Sequence, residues 1–593
     1  MTPGQIIVLA TPVFFGLIAI ELAVGHARGK HTYRFSDALT SIGLGMLSQV
    51  SAVFTVALRF GIYSAVFGAV SLMPDTGFWT SPIGWLVALV FYDFCYYWNH
   101  RLGHTCALFW AAHVVHHQSE DYNLSTALRQ TSSGALLGWL FYLPMAVAGV
   151  PPLVFGVVGL IDLLYQYWIH TQQIGKLGWF DRAFASPSNH RVHHAVNDRY
   201  VDKNYGGIFM LWDHLFGSFE PEDDREPCVY GTRSPLKSWD PLWANIEVYA
   251  ALWRESWQAR RWRDKLLIWF KPPGWQSAEM AAQAPRPPFN IQRVQRYAPP
   301  VTAAVRRFAA LQFGLLLTGS GVFLWFNSDW PMWQSAVWFT VLLAGLWALG
   351  AVLQNRITLS EALMIECAAL SMATAASGLL AWHWVFKPLT MLLALAAVAS
   401  HWRSHNPTTR PPPWLIAALI GALAGDVFLM FEGFFIPGLI AFLLAHAAYL
   451  VLFRHDAPVF TSRAAWIVLS VIGAVFYAFL WRNGLPEALR LPVAVYILAI
   501  VAMGSVALGR AVLLSDAPSR LVAAGAMCFM VSDATLAINR FVIPVPHDPI
   551  WVLGTYYAAQ CLIVIGLLRS QRRGQSPAAN HIGQGISTTP EAP

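Results

Sequence analysis

The sequence predicts an all-α, polytopic membrane protein made of two helical membrane modules, the first bearing a histidine-rich helical cap. Three observations carry this. Apolar residues make up 56% of the 593 positions and charged residues only 12%, where an average globular domain is about 25% charged. Mean hydropathy is +0.47. Apolar runs near the roughly 20 residues needed to span a bilayer recur along the chain, and one long polar section interrupts them. This balance excludes a disordered scaffold, a disulfide-rich secreted mini-domain and an ordinary cytosolic enzyme. The net charge of +7 reads as a topology signal on a membrane protein rather than as a nucleic-acid surface, so no nucleic-acid partner is expected. The cysteines Cys95, Cys106, Cys228, Cys367, Cys528 and Cys561 form no CxxC pair and read as reduced core thiols.

The first run is Ile6 to Val24. No Lys or Arg precedes it, so it reads as a retained helix rather than a cleaved leader. Ile42 to Met73, Ile83 to Trp98, Ala135 to Val150 and Leu153 to Trp168 follow as spans. Thr171 to Pro300 is rich in Arg, Lys, Trp and Pro and has no spanning run. Basic loops stay on the cytoplasmic side, which places this section and its neighbouring histidines there. Ser277 to Pro300 reads as a linker from its Ala, Pro and Gln content. Phe308 to Phe326 and Trp333 to Leu353 come next. Eight more spans then follow: 362–382, 388–398, 414–431, 436–453, 466–481, 491–508, 521–537 and 552–568. The expected domains are 1–285, a connecting segment 286–360, a second module 361–570 and a disordered tail 571–593.

Chemistry concentrates in the histidines of the first half. His100 and His104 form H-x3-H, His113, His116 and His117 form H-x2-H-H, His170 ends an apolar run, and His190, His193 and His194 repeat H-x2-H-H. Helical spacing of three and four lets each cluster aim imidazoles at a common point. Polar groups at membrane edges are costly and tend to be functional. Neutral imidazole suits Zn, Cu, Fe and Ni. Nine histidines exceed what one ion takes and suit two. Neither H-E-x-x-H nor the Glu-x-x-His of carboxylate di-iron bundles is present. An all-imidazole two-metal site with open positions for dioxygen is the reading. Glu120 and Asp121, just after the second cluster, can orient a ligand histidine, and Asn123, Arg129 and Gln130 can contact a lipid head or cofactor. Trp212 and Phe219 read as interfacial anchors.

The order of these clusters resembles the membrane fatty acid hydroxylase and sterol desaturase superfamily. The runs WAAHVVHHQSEDYNLSTALRQ (110–130) and HTQQIGKLGWFDRAFASPSNHRVHHAVNDRYVDKNYGGIFMLWDHLFGSFEPE (170–222) are similar to the alkylglycerol monooxygenase family over about residues 1–300, departing from it at Gln118, Asp121 and Gln172. The resemblance implies two iron ions held by the nine histidines, dioxygen, and tetrahydrobiopterin as an external reductant. It also implies glycerol ether lipids as substrates, hydroxylated beside the ether oxygen to release a fatty aldehyde.

The second half has polar groups inside apolar segments: Lys387, Asp426, His446, Asp533, Tyr556 and Gln560. Ionisable residues there are costly enough to be functional by default. Polar helix–helix pairing and a proton relay or transporter are the other readings. The motifs KPL, GDxxL, G-x-x-x-F-x-x-A-H-x-x-Y and SD-x-x-L-x-x-x-R-F with TYY-x-A-Q resemble the YhhN-type lysoplasmalogenase family over about 360–570. That resemblance implies vinyl ether hydrolysis of lysoplasmalogens, with Asp426 and Asp533 as catalytic candidates and Lys387, His446, Tyr556 and Gln560 lining the site. The expected function is a bifunctional ether-lipid-degrading enzyme in a cell inner membrane or endoplasmic reticulum. The alternative is a sterol, carotenoid or fatty-acyl hydroxylase or desaturase fused to a non-enzymatic or transporter-like domain.

Overall fold

The computed structural model describes residues 2–73, 75–405 and 411–573. Among these residues the regular structure is entirely helical, and two isolated bridges, Phe184 with Phe209 and Ala195 with Tyr230, are the extended pairings. Among the described residues eleven helices are long and apolar enough to cross a membrane, and the chain is an integral multi-pass membrane protein. The tail expected at 571–593 lies outside the described residues from 574 onward.

The chain divides into two compact units, one comprising Met1–Pro331 with Leu349–Arg356, the other Met332–Ala348 with the chain from Ile357 onward. In the first unit, Pro3–Ala27 starts at a capping box between Thr2 and Gln5, which satisfies two otherwise orphaned backbone N–H groups. Phe35–Val56 follows. The single span expected over Ile42–Met73 is two helices, because a π turn at Ala57–Gly61 interrupts the ladder before Ile62–Val70. Pro82–Thr105 is capped by Ser81, whose hydroxyl accepts from Gly84 N–H at 3.0 Å. The expected span at Ala135–Val150 is absent. Two 3₁₀ stretches, Gly134–Leu136 and Gly138–Tyr142, lead into the short helix Leu143–Ala148, which Pro144 opens and Gly149 ends. Hydropathy alone does not separate such a folded stretch from a span. Pro152–Trp168, Pro187–His193, Pro241–Gln258, Trp262–Phe270 and Ala303–Phe326 complete the main helices of this unit.

The second unit holds the eight helices expected: Leu359–Ala376, Leu380–His405, Pro413–Phe428, Phe435–Arg454, Arg463–Arg482, Glu487–Leu514, Ala517–Phe541 and Asp548–Arg573. The run predicted at 362–382 breaks at Ala376, because Gly378 takes φ +72 and closes the helix in a left-handed cap. The last two helices pack closely along one another; a Cβ on Gly525 would lie 2.8 Å from the Ala559 carbonyl oxygen. Small residues permit this approach where apolar burial supplies no drive. Met391, Leu419, Tyr449, Met503, Phe529 and Ile563 form its core.

Candidate active sites

The first site is built from three helices and one helix end. Pro82–Thr105 carries His100 and His104 on successive turns, and Ala107–His117 carries His113, His116 and His117. Pro187–His193, started by the Ser186–Asn189 capping box, carries His190 and His193 and ends on His194. His170 lies just past Pro152–Trp168. The nitrogens of His100, His104, His113, His117 and His193 lie within 4.8 Å of one another, and so do those of His116, His170, His190 and His194.

The sequence clusters therefore do not each serve one point. Each H-x2-H-H divides between the two groups, as helix geometry requires. At 100° per residue, i and i+4 differ by about 40° and share a side, whereas i+3 lies about 100° from i+4. So His113 and His117 join one group and His116 the other; His190 and His194 join one group and His193 the other.

The donors fit a metal. Four imidazoles hand their Nδ1 proton to backbone carbonyls: His100 to Tyr205 (2.9 Å), His116 to Arg129 (2.9 Å), His170 to Gln166 (2.7 Å) and His193 to Lys203 (3.0 Å). A carbonyl only accepts, so each neutral ring presents a bare Nε2 inward. His116 and His170 face each other this way with Nε2 atoms 3.1 Å apart. Two lone pairs at that distance repel, and a cation between them resolves the conflict. The Nε2 atoms of His104 and His193 are buried without a hydrogen-bond partner among the described residues. Burial pushes the imidazoles of His100, His113, His117, His170, His190, His193 and His194 well down, and that of His116 to about 4. They stand neutral at pH 7, the form that binds metal. These two groups can each hold a metal ion.

The other residues singled out in this half brace the site. Glu120 accepts from Tyr297 N–H (2.7 Å) and from Arg34 (3.5 Å). Asn123 caps the turn Leu124–Ala127 and donates to the Thr32 carbonyl (2.7 Å). Arg129, fully buried, donates to the Val115 carbonyl (2.7 Å) near the end of the histidine helix, and Gln130 donates to the Ala127 carbonyl (3.0 Å). Trp212 donates to Asp93 (2.8 Å), and Phe219 stacks on His214. Asp93 also accepts from Ile208 N–H (2.7 Å). Asp213 accepts from the N–H groups of Tyr205 (2.8 Å) and Gly206 (2.7 Å) and from the Ser218 hydroxyl (2.7 Å). Sequence reasoning passed over both aspartates, since a single acid in a loop or helix carries no motif. Asp213→Ala is expected to strand two buried N–H groups at about 1–3 kcal/mol each. Thermal denaturation should then fall by several degrees and iron retention should drop with it.

In the second unit the polar residues sort into separate pairings. Lys387 Nζ lies 3.8 Å from Asp426, which accepts from the Tyr556 hydroxyl at 2.6 Å. Asp533 Oδ2 accepts from the Tyr496 hydroxyl (2.7 Å) and lies 3.1 Å from His446 Nε2; His446 and Tyr496 are themselves 2.9 Å apart. Gln560 accepts from the Tyr449 hydroxyl (2.7 Å). The Phe529 ring packs against both His446 (4.5 Å) and Tyr556 (5.4 Å). A cavity of about 340 Å³, walled by Leu439, Phe442, Leu469, Phe476 and Met530 among other apolar residues, carries Asp533 and Tyr496 in its lining. Tyr496 was missed from sequence because it sits in an apolar helix with no flanking motif.

Two family models match. The fatty acid hydroxylase family covers residues 85–218 and the YhhN family covers residues 382–567. Alkylglycerol monooxygenase of Homo sapiens is 40% identical over 267 residues, which is 45% of this chain and 59% of that protein. The Danio rerio alkylglycerol monooxygenase is 33% identical over 362 residues, 60% of this chain and 80% of its own length. A lysoplasmalogenase of Mycobacterium bovis is 35% identical over 200 residues, 32% of this chain and 72% of its own length. The chain thus spans under two thirds of the human relative. No solved structure matches it. On these matches the chain belongs to the alkylglycerol monooxygenase family through its N-terminal half and to the YhhN lysoplasmalogenase family through its C-terminal half.

Proposed function

We propose that this protein degrades glycerol ether lipids by two chemistries: oxygen-dependent cleavage of alkylglycerol ethers in the first unit, and hydrolysis of the vinyl ether of lysoplasmalogens in the second. The observation that carries the reading is the pair of adjacent all-imidazole groups in one unit, together with an aspartate lining an apolar cavity within the other. The domain limits proposed are those drawn from sequence, with the histidine centre at the cytoplasmic face of a cell inner membrane or the endoplasmic reticulum.

In the first unit, His100, His104, His113, His117 and His193 would hold one iron, and His116, His170, His190 and His194 a second. Bound iron supplies the redox chemistry by which one oxygen atom of dioxygen enters the carbon beside the ether oxygen, the other leaving as water with two electrons and two protons from the reductant. The hemiacetal so formed collapses to a fatty aldehyde and a free glycerol hydroxyl. The protein's part is to hold the donors bare and neutral. The Tyr205, Arg129, Gln166 and Lys203 carbonyls lock four tautomers, and burial excludes water. Glu120 and Asp121 are engaged by Arg34 and Tyr297. Tetrahydrobiopterin is taken as an external reductant, as the family resemblance implies.

In the second unit, hydrolysis begins with protonation of the enol ether carbon, which leaves an oxocarbenium ion for water to attack. A positioned carboxyl group performs the first task and a carboxylate the second; the glycosidase acid pair is the analogy. Asp533 lines the cavity and is assigned as the proton donor, oriented by Tyr496 and His446. Asp426, charge-paired with Lys387 and hydrogen-bonded by Tyr556, is the second catalytic candidate, on the Tyr556 side of the Phe529 ring. Tyr496→Phe is expected to lower kcat for the vinyl ether about tenfold or more, because its hydrogen bond to Asp533 strengthens as the carboxyl gives up its proton and becomes charged, with little change in KM.

The test supplies purified, iron-loaded protein with 1-O-alkylglycerol, oxygen and tetrahydrobiopterin, and separately with an alkenyl lysophospholipid alone. Aldehyde from both supports the reading. Hydroxylated sterol or fatty acid, with no aldehyde from either lipid, favours the superfamily's other chemistries.

A further inference from the structure

Helix Pro241–Gln258 has two unlike faces. Ala244, Val248 and Leu252 pack on the histidine helix through Ala107, Ala111 and Val115. Gln118 Nε2 donates to the Ala244 carbonyl (3.1 Å), and Asn245 accepts from Ser132 N–H (2.9 Å). At 100° per residue, Trp243, Ile246, Trp253 and Trp257 fall on the opposite side, and all four are exposed, Trp257 by 76%. The next helix, Trp262–Phe270, repeats the pattern at a spacing of four. Trp262 (80%), Leu266 (62%) and Phe270 (61%) face outward, while Ile268 and Trp269 join the core beneath. Lys265 fastens the two helices. Its Nζ donates to the Ser256 and Trp257 carbonyls (3.2 Å each) and lies within 6 Å of the Trp257 and Trp262 rings. Arg254, Arg260, Arg261, Arg263 and Lys271 stand exposed around this patch. Among the nearby acids, Glu255 is paired with Arg286 and Glu279 with Arg260 of the rim.

An exposed, continuous aromatic patch marks an interaction surface. Tryptophan on an apolar face with a basic rim is the composition of a segment lying in the headgroup region, and the basic rim selects anionic lipid. The membrane is close at hand, because Ala244 also packs on Leu44 of Phe35–Val56, itself a candidate span. We propose that Pro241–Phe270 is an in-plane anchor seated in the interface of an anionic bilayer leaflet. Its inner face holds the histidine helix at headgroup depth, independently of either activity proposed above.

The test places p-benzoylphenylalanine at position 257 or 262 of the full-length protein, in bilayers of phosphatidylcholine with or without phosphatidylglycerol. After illumination, lipid adducts are read by mass spectrometry. Adducts are expected at both positions, rising several-fold with phosphatidylglycerol, and not at the exposed loop position Arg225. Backbone amides of 241–270 in the unmodified protein should also exchange more slowly when phosphatidylglycerol is present. Cross-links to a second copy or another protein, equal adducts at Arg225, or yields and exchange rates indifferent to the anionic lipid would overturn the proposal.

Discussion

Replacing His116 with alanine is expected to abolish aldehyde release from 1-O-alkylglycerol and to lower bound iron from about two per chain to about one. His116 belongs to the smaller histidine group, where each of four imidazoles matters most. Its ring is fixed by the Arg129 carbonyl and faces His170 directly. Loss even of a partner that merely supports a ligand costs roughly 10–100-fold in metal affinity or activity, so loss of the ligand itself should exceed that. Vinyl ether hydrolysis should be unchanged, because its residues sit in the other compact unit. Iron analysis and both aldehyde assays on one preparation check this. A variant with full iron content and full oxygenase activity would remove His116 from the centre.

Asp533→Asn should have the opposite profile. Asparagine keeps the size and the hydrogen bond from Tyr496 but has no acidic proton to deliver. General acid catalysis contributes typically about 10²–10⁴-fold, so hydrolysis should fall by that amount while the alkylglycerol reaction persists. Lys387→Met acts differently. It leaves Asp426 buried without its cation, and its cost should appear in stability and expression as well as in rate. Comparing melting temperature with kcat separates the two effects.

Much of this was legible in the sequence, for identifiable reasons. Eight of the nine histidines fall at spacings of three and four, which survive any uncertainty about helix ends because the spacing itself is the signal. The eight helices of the second unit follow from apolar runs separated by Pro, Gly and charged turns. The division of each H-x2-H-H between two groups was also implicit in the helical angle, but it becomes visible only when His170 and the facing helices are in place. Ala135–Val150 misled because an apolar 3₁₀ stretch running into a short helix has the hydropathy of a span. Glu120, read as orienting a ligand, and Asn123 and Arg129, read as contacts to a lipid head or cofactor, have the partners Tyr297, Thr32 and Val115, which no local motif reveals because they come from other parts of the chain. Tyr496 had no local signal; only the fold brings it to Asp533 across 37 residues.

Chelation tests most directly the claim that one chain holds two chemically independent sites. A single detergent-purified preparation would be assayed for aldehyde from alkylglycerol, with oxygen and tetrahydrobiopterin, and from alkenyl lysophospholipid, before and after iron is stripped. The account predicts that the first activity disappears and returns on adding ferrous iron, while the second continues at its original rate throughout. Loss of both activities on stripping, or survival of the alkylglycerol reaction in iron-free protein, would contradict it.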